Sequence, residues 1–317
     1  MRSYSLIAPA KINLYLEIIG DRPDGYHELS MVLQSIDLGD RVEIRANGTE
    51  EFRIQCQHPE VPCDRTNLAY RAAELLKSNY PEAFEQYGGA DIFIDKQIPV
   101  AAGLAGGSSN AAAVLVGLEM LWDLGLTQPE LQDLASQLGS DIPFCITGGT
   151  ALATGRGNEL EPLPDLEGLY VILAKYRSLG VSTAWAYQTY RQQFGSTYVR
   201  ESTDLAARQQ RVHSGPIVKA IALRDEMKVV QCLHNDLEKV VLPEYPQVLK
   251  LRQTFEQFDV LGTMMSGSGP TVFALTDSRE KAEQIRAQVQ NTLGNPDLDF
   301  WIAQFINTGI QLAPGVH

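Results

Sequence analysis

The chain contains 317 residues, of which 44% are hydrophobic and 21% charged, and its formal net charge is −13. A chain of this length and composition is expected to form two globular domains with cores large enough to need no disulfide bonds. Its acidic balance and its lack of a basic run exclude nucleic acid as the main partner, because phosphate backbones are bound by clustered Lys and Arg.

The sequence also argues against a membrane protein and against a secreted one. No stretch reaches the ~18 consecutive apolar residues of a membrane span, and the first residues are too poor in apolar side chains for a signal peptide. The four cysteines, Cys56, Cys63, Cys145 and Cys232, form no Cys-x-x-Cys pair. Cys56 and Cys63 flank His58, but this is not a zinc spacing. We therefore expect a cytoplasmic protein with reduced thiols and no membrane partner.

The first third of the chain predicts strands, because apolar residues alternate with other residues. The alternating sets are Leu14, Leu16 and Ile18, then Val42, Ile44 and Ala46, then Phe52 and Ile54, and later Ala90, Ile92 and Ile94. A period of two is typical of half-buried strands. Before the last set, Thr66 to Lys77 predicts a helix with Leu68, Ala72, Leu75 and Leu76 on one face.

Two further helices are predicted in the middle of the chain. Asn110 to Trp122 is apolar nearly all round, which indicates a buried helix. Thr127 and Glu130 then form a capping-box pattern ahead of a helix with apolar residues on one face, and Gly139 is a stop signal. Those apolar residues are Leu131, Leu134, Ala135 and Leu138.

The second half mixes strands and helices again. Tyr170 to Ala174, 271–275 and 300–305 predict strands, and Ser278 to Leu293 predicts an amphipathic helix. Residues 195–215 are polar and predict a mobile loop or an irregular helix. The segment Glu159 to Gly168 has two prolines, four acids and no clear period, so we expect the domain boundary there. Strands and helices intermixed in both halves favour two α+β sandwiches.

The strongest functional signal is the glycine-rich segment that joins a predicted strand to a buried helix. It runs Pro99-Val-Ala-Ala-Gly103-Leu104-Ala105-Gly106-Gly107-Ser108-Ser109-Asn110. Glycine lets the backbone approach a ligand closely, and a helix N-terminus offers unpaired N–H groups that suit a phosphate. Ser108 and Ser109 add hydroxyls, one of which could bind Mg²⁺.

This segment fits neither of the common phosphate-binding motifs. No Lys follows the second glycine, which excludes a Walker loop. The Gly-x-Gly-x-x-Gly spacing is absent, and the acid nearest to the expected position, Asp123, follows a helix rather than a strand, which argues against a dinucleotide oxidoreductase. The remaining alternative is a flexible loop in which Ser108 or Ser109 only caps a core helix.

Three segments in order resemble the signatures of the galactokinase–homoserine kinase–mevalonate kinase (GHMP) superfamily. They are Pro9-Ala10-Lys11-Ile12-Asn13-Leu14, the glycine-rich segment, and Met265-Ser266-Gly267-Ser268-Gly269-Pro270-Thr271. Two more stretches are similar to the diphosphocytidyl-methylerythritol kinase branch: Arg22-Pro-Asp-Gly25-Tyr26-His27-Glu28 and Gly139-Ser-Asp141-Ile-Pro-Phe144. The resemblance spans nearly the whole chain.

The resemblance implies a fold and a reaction. The fold is α+β: a ribosomal-S5-like nucleotide-binding domain, placed at residues 1–163, and a ferredoxin-like substrate domain at 164–317. The implied activity is ATP-dependent phosphorylation of the 2-hydroxyl of 4-diphosphocytidyl-2-C-methyl-D-erythritol, in the non-mevalonate isoprenoid pathway. ATP and Mg²⁺ would bind at the glycine-rich segment from Pro99 to Asn110, with Ser108 as a metal ligand. Asn67 and Lys96 would contact adenine.

The same resemblance implies that Lys11 and Asp141 are the catalytic pair. Phosphoryl transfer depends on positioning and electrostatics, with a carboxylate often accepting the proton of the alcohol. Asp141 is the candidate base, and Lys11 would pair with it and help to neutralise the transferred phosphate. The residues alone leave other roles open. Asp141 could only cap a helix that begins near Pro143, and Lys11 could be a solvated edge residue.

The acceptor end of the site is expected to include a cytosine clamp. Tyr26 would stack on the base, and His27 would hydrogen-bond its edge; a β-turn with an inward Tyr is the alternative. Tyr187 is the candidate for the second aromatic, with Trp185 and Tyr190 as rivals. Asn13 is expected beside Lys11. Asn67 could instead cap a helix, and Lys96 could be a surface residue.

The third glycine-rich segment and one polar stretch complete the predicted site. Gly267 and Gly269 would approach the diphosphate or the catalytic centre, unless they only form a β-turn. His234-Asn235-Asp236-Leu237 predicts a structural helix start. Two other functions stay open at this point: another kinase of the superfamily that acts on mevalonate, homoserine or a sugar, and a silent sensor that binds nucleotide without transferring phosphate.

Overall fold

The computed structural model describes residues 2–199, 208, 213 and 215–314. The described chain forms two β-sheets that are covered by helices. The larger sheet consists of β1 (Ser3–Asp21), β2 (His27–Ala46), β3 (Arg53–Cys56), β4 (Ala90–Asp95), β5 (Thr150–Gly155), β6 (Glu159–Pro162), β8 (His234–Asn235) and β12 (Gln311–Leu312). The smaller sheet consists of β7 (Tyr170–Tyr176), β9 (Gly262–Met265), β10 (Val272–Thr276) and β11 (Leu298–Gln304).

The helices lie between and outside these sheets. They are α1 (Leu68–Asn79), α2 (Pro81–Tyr87), α3 (Gly106–Trp122), α4 (Gln128–Ser136), α5 (Ile142–Thr147), α6 (Thr183–Phe194), α7 (Pro216–Ala222), α8 (Glu226–Gln231), α9 (Glu238–Glu244), α10 (Pro246–Phe255) and α11 (Arg279–Leu293), with a 3₁₀ turn at Gly195–Thr197. Among the residues described, no helix has the length and apolarity to cross a membrane.

The long antiparallel pair β1–β2 is the centre of the larger sheet. All the predicted strands of the first third are present, but the prediction that they are half-buried is wrong for β1, which is buried over most of its length on both faces. The reason is that α3 packs on one side while residues of the smaller sheet share a core with β1 on the other. Both faces therefore lie within the protein, as in sheets of layered α/β proteins. In β2 the first ten residues are buried on both faces, while the part with Val42 and Ile44 is buried on one face, as predicted.

The smaller sheet has the strand order β11-β7-β10-β9, with all neighbours antiparallel. In chain order these four strands are β7, β9, β10 and β11, so the first strand, β7, lies between the third, β10, and the fourth, β11. This is the ferredoxin-like strand order. The predicted strands at 170–174, 271–275 and 300–305 are confirmed. The predicted helix from Ser278 is confirmed as α11, whose N-cap is the Ser278 side chain.

Local capping signals mark several helix starts. The Thr127 N–H donates to the Glu130 carboxylate at 2.8 Å, so the predicted capping box at α4 is confirmed. The Asn67 side chain accepts from the Ala69 N–H at 2.8 Å, and α1 begins one residue later. The Glu159 to Gly168 segment contains the short strand β6. Most of the predicted irregular segment 195–215 lies outside the described residues.

The buried helix α3 begins four residues earlier than predicted, at Gly106 instead of Asn110. Gly106, Gly107, Ser108 and Ser109 of the glycine-rich segment are therefore in its first turn rather than in a preceding loop. The Ser109 N–H bonds to the Ala105 carbonyl at 2.9 Å, which closes that turn. The poor helix propensity of glycine is overridden here because α3 is almost entirely buried.

The two halves of the chain are joined by hydrogen bonds across the larger sheet. Strand β8 pairs in parallel with β1, and β12 pairs with the other end of β1 in antiparallel orientation. The chain passes from the larger to the smaller sheet between β6 and β7, that is, between Pro162 and Tyr170. The domain boundary after residue 163 agrees with this position, and it stays a prediction.

A fully buried carboxylate, Asp40, organises the segment that leads into α3. One of its oxygens accepts the backbone N–H groups of Gln97 and Ile98 at 2.7 and 2.9 Å. The other accepts from the Lys96 ammonium and from the Asn110 side-chain amide. Asp40 is 0% exposed, so each of these bonds replaces one to water.

Replacing Asp40 by Asn is expected to lower the free energy of unfolding by about 3 kcal/mol, because the Lys96 ammonium would stay buried without a counter-ion. Urea denaturation measures the change. Asp133→Asn is the matched control, since Asp133 is exposed on α4. If both variants unfold at the same urea concentration, Asp40 does not stabilise this region.

Candidate active site

Three segments that are far apart in the sequence meet at the start of α3. The Lys11 N–H donates to the Leu104 carbonyl at 3.1 Å, and the Ser109 hydroxyl donates to the Pro9 carbonyl at 2.7 Å. The Ser266 hydroxyl donates to the Gly103 carbonyl at 3.1 Å. The three predicted signatures therefore form one hydrogen-bonded unit.

The closest approach in this unit is at Gly103, whose φ is +73°. A Cβ at this position would lie 2.3 Å from the Ser266 carbonyl oxygen and 3.1 Å from the Gly269 nitrogen. Only glycine fits, because both the contact and the backbone angle exclude a side chain. The third segment is held against Gly103 by Asn235, whose amide donates to the Met265 and Gly267 carbonyls at 2.8 Å each.

These segments line one large cavity of about 1070 Å³. Most of the predicted site residues are on its wall: Lys11, Asn13, Tyr26, His27, Asn67, Lys96, Pro99, Gly103, Leu104, Ala105, Gly106, Gly107, Ser108, Asn110, Asp141, Tyr187 and Gly267. Two predicted residues are not on the wall. Ser109 is fully buried and bonds to the first signature, and Gly269, within the third signature, packs against Met265.

Lys11 and Asp141 face each other in this cavity. The Lys11 Nζ lies 3.5 Å from the Asp141 Oδ2, and it also donates to the Asn13 Oδ1 at 2.8 Å. Lys11 is almost fully buried, while the Asp141 side chain is 32% exposed. Asp141 precedes α5, but its side chain makes no capping hydrogen bond there. The carboxylate is thus oriented towards the cavity rather than towards the helix.

The nucleotide side of the cavity differs in detail from the expectation. Lys96 is buried with Asp40 and donates to Asn110 at 3.2 Å, so its interpretation as a surface residue is wrong. The Asn67 side chain is already engaged as the cap of α1 and as a donor to the Pro62 carbonyl at 2.6 Å. Both residues line the cavity, and their hydrogen bonds shape its wall.

The first turn of α3 provides the groups that suit a phosphate. Gly106, Gly107 and Ser108 lie on the cavity wall at the N-terminus of a 17-residue helix, where backbone N–H groups are unpaired. A Cβ on Gly106 would be in tight contact, 3.0 Å from the Lys96 ammonium. Searching the described residues finds no group of three or more metal-ligating side chains. The Ser108 hydroxyl adds a side-chain oxygen to this part of the wall.

Aromatic residues line the opposite end of the cavity. Tyr26 is 55% exposed, and the His27 ring lies 5.1 Å from the Tyr187 ring. Trp185 and Tyr190 do not line the cavity; they pack on Tyr245 and on Phe194. Of the three candidates for the second aromatic, Tyr187 is therefore the one with access to a ligand.

Electrostatics at this end favour neutral rings. Burial, together with the nearby Arg191 guanidinium, lowers the pKa of His27. The imidazole is therefore uncharged at neutral pH, and its buried Nε2 has no hydrogen-bond partner within the described chain. Burial and the Asp141 carboxylate raise the pKa of Tyr187. A ligand that offers a hydrogen bond to the imidazole would satisfy an otherwise unpaired atom.

Several residues that shape the site had no sequence signal. Asp40 was not noticed in the sequence, because its side-chain partner Lys96 is 56 positions away. Asn235 was seen only as part of a polar stretch, because the two carbonyls that it binds are 30 and 32 positions away. The stretch that contains Asn235 was predicted to be a structural helix start. It forms β8 directly before α9 begins at Glu238, and Asn235 holds the third signature in place. Arg191 was also missed. It bonds to Asp21 at 2.7 Å and to the Gly25 carbonyl at 3.1 Å, and so connects α6 to the turn before Tyr26.

Comparison with known proteins defines the class of this site. Residues 67–149 match the GHMP kinases N terminal domain, and residues 217–295 match the GHMP kinases C terminal domain. A homoserine kinase structure from Cytophaga hutchinsonii superposes with a TM-score of 0.72 at 19% identity, over 99% of this chain and 98% of that one. The protein is a small-molecule kinase with the two-part α+β fold of the GHMP kinases.

Closer relatives identify the branch. A protein of Trichormus variabilis is 63% identical over 98% of this chain and 99% of its own, and one of Nostoc punctiforme is 62% identical over the full length of both. Both are 4-diphosphocytidyl-2-C-methyl-D-erythritol kinases. A crystal structure of 4-(cytidine 5'-diphospho)-2C-methyl-D-erythritol kinase superposes with a TM-score of 0.69 at 31% identity, over 95% and 98% of the two chains. The chain belongs to the 4-diphosphocytidyl-2-C-methyl-D-erythritol kinase family.

Replacing Gly103 by Ala tests the contact that holds the three segments together. We expect a loss of about 2–4 kcal/mol in the free energy of unfolding and weaker ATP binding, because a methyl group meets the Ser266 carbonyl in a left-handed backbone conformation. Gly48→Ala is the control. Gly48 has a φ of +65° but nothing within 4 Å of a Cβ, so it measures the backbone cost alone. Equal losses in the two variants would contradict a tight contact at Gly103.

Proposed function

We propose that this protein transfers the γ-phosphoryl group of ATP to the 2-hydroxyl of 4-diphosphocytidyl-2-C-methyl-D-erythritol, within the non-mevalonate isoprenoid pathway. The observation that carries the proposal is the position of Lys11 and Asp141, 3.5 Å apart on the wall of a cavity that also contains the helix N-terminus suited to a phosphate. Membership in the kinase family supports the choice of substrate.

Asp141 acts as the general base in this proposal. Its carboxylate accepts the proton of the acceptor hydroxyl while the oxygen forms a bond to the γ-phosphorus and ADP leaves. Lys11 holds the carboxylate in place and stabilises the negative charge on the transferred group. The Asn13 Oδ1 accepts a hydrogen bond from Lys11 and so fixes the direction of the ammonium. The burial of Lys11 strengthens these interactions, because little water screens them.

The remaining parts of the cavity position the two substrates. Backbone N–H groups of Gly106, Gly107 and Ser108 bind the phosphates of ATP, and adenine lies towards Asn67 and Lys96. The Ser108 hydroxyl would hold the magnesium ion of the nucleotide, which would supply neutralisation of phosphate charge. At the other end Tyr26 and Tyr187 enclose the cytosine, and His27 binds its edge. The spacing of these two ends suits an acceptor that has a base at one end and an alcohol at the other.

A panel of alcohols tests the proposed substrate. With ATP and Mg²⁺, 4-diphosphocytidyl-2-C-methyl-D-erythritol should release ADP with a kcat/KM at least about 10³-fold above that for mevalonate, homoserine and galactose, because these alcohols leave the base end of the cavity empty. CDP-ribitol fills the base end, so its rate measures how far the alcohol end discriminates. A coupled ADP assay measures the rates, and ³¹P NMR identifies the new phosphomonoester. A preference for another alcohol would make the protein a different kinase of the superfamily. ADP release with none of them would indicate a silent sensor.

Removing the proposed base should slow the reaction without unfolding the protein. Asp141→Asn is expected to lower kcat by about 10²–10⁴, the range for a lost general base. Lys11→Met should be similarly slow and still bind ATP. The control is Asp133→Asn, the same change on an exposed helix. Near-normal turnover in Asp141→Asn would remove Asp141 from the mechanism, and a loss of ATP affinity with unchanged kcat in Lys11→Met would reassign Lys11.

A further inference from the structure

One cation on the cavity wall has no role in the site as described so far. Arg156 lies in the turn between β5 and β6, at the acceptor end of the cavity. The Gly157 N–H bonds to the Thr154 carbonyl at 2.9 Å, which closes this turn and fixes the position of Arg156. Its guanidinium lies over the Tyr26 ring, 5.1 Å from the ring centroid. The side chain is therefore directed along the cavity wall rather than into solvent.

The other cations of the cavity are paired with carboxylates. Lys11 faces Asp141, Lys96 is buried against Asp40, and Arg191 bonds to Asp21. Arg156 has no carboxylate within ion-pair distance in the part of the chain that the structure describes. Its acidic neighbour Asp24 pairs with Arg22, at 3.3 Å. In a protein of net charge −13, an unpaired guanidinium on a cavity wall is available to an anion.

The position of Arg156 along the cavity indicates which anion. On one side it contacts Tyr26, where the base of the acceptor is proposed to stack. On the other side, a Cβ on the adjacent Gly157 would lie 3.8 Å from the Ser140 side chain, and Ser140 precedes the catalytic Asp141. The turn that carries Arg156 thus adjoins both Tyr26, the proposed place of the cytosine, and the segment that leads to Asp141, the proposed place of the phosphorylated hydroxyl. In a cytidine diphosphate ester, the group between these two ends is the diphosphate.

We propose that Arg156 is a specificity-determining residue that binds the diphosphate of the acceptor through its guanidinium. Arginine suits this role because its planar fork matches phosphate oxygens and stacks on an aromatic ring at the same time. By covering one face of Tyr26, it also leaves the other face for the base. This inference rests on the proposed function for the identity of the acceptor. The binding of a cytidine diphosphate by Arg156 can be tested without it.

Binding of CDP and of cytidine to the full chain tests the proposal without any phosphoryl transfer. Isothermal titration calorimetry on wild type, R156Q, R156K and R286Q gives the ratio of the two affinities. Loss of one charge-assisted contact should lower the CDP-to-cytidine ratio about tenfold in R156Q. R156K should restore part of the ratio, because it keeps the charge but not the planar fork. R286Q is the matched control, since Arg286 is exposed on α11 and away from the cavity, and its ratio should equal that of wild type.

The outcomes separate this inference from the proposed reaction. If R156Q weakens CDP and cytidine equally, or if R156K restores nothing, Arg156 only supports Tyr26 and the diphosphate assignment is overturned. A wild type that binds CDP no better than cytidine also overturns it. If wild type fails to release ADP with the proposed acceptor while R156Q still lowers the ratio, the proposed reaction fails and the assignment stands. In the active enzyme, R156Q should raise KM for the acceptor about tenfold, with kcat and KM for ATP within about twofold of wild type.

Discussion

The site depends on the close packing of backbone at Gly103. The third signature can reach the first turn of α3 only because no side chain separates Gly103 from the Ser266 carbonyl. Through this contact the smaller sheet, which carries the third signature, is held against the larger sheet, which carries Lys11. The proposed catalytic pair and the proposed phosphate-binding turn come from different parts of the chain. Their relative position is set by hydrogen bonds to main-chain carbonyls, from the Lys11 N–H and from the buried Ser109 and Ser266 hydroxyls. This arrangement suits phosphoryl transfer, where positioning contributes much of the rate.

Charge in the cavity is distributed in pairs of buried or half-buried groups. Asp40 compensates Lys96, and Asp141 compensates Lys11. An acidic protein can in this way bind highly anionic substrates, because the cations that face them are held in place before the ligand arrives. At the other end of the cavity the lowered pKa of His27 keeps its imidazole neutral. A neutral imidazole can form a hydrogen bond with a ligand and needs no counter-ion.

Much of the fold and part of the site could be predicted from the sequence, because the signals that define them are local. The capping box of Thr127 and Glu130 and the amphipathic pattern of α11 are local signals, and both helices are where they were expected. The start of α3 was misplaced because burial outweighs the poor helix propensity of its glycines. Asp40 could not be recognised, since its role arises from a partner 56 residues away. Tyr187 was separated from Trp185 and Tyr190 only by the direction in which each ring points.

The pairing of β1 with both β8 and β12 has a consequence for how this chain folds and evolves. The last ordered strand and a strand from the middle of the second half both complete a sheet that begins at the N-terminus. The N-terminal half therefore cannot complete the larger sheet alone, and it would expose unpaired edges until β8 and β12 have been made. Exchange of halves between relatives would have to preserve the registers of these pairs.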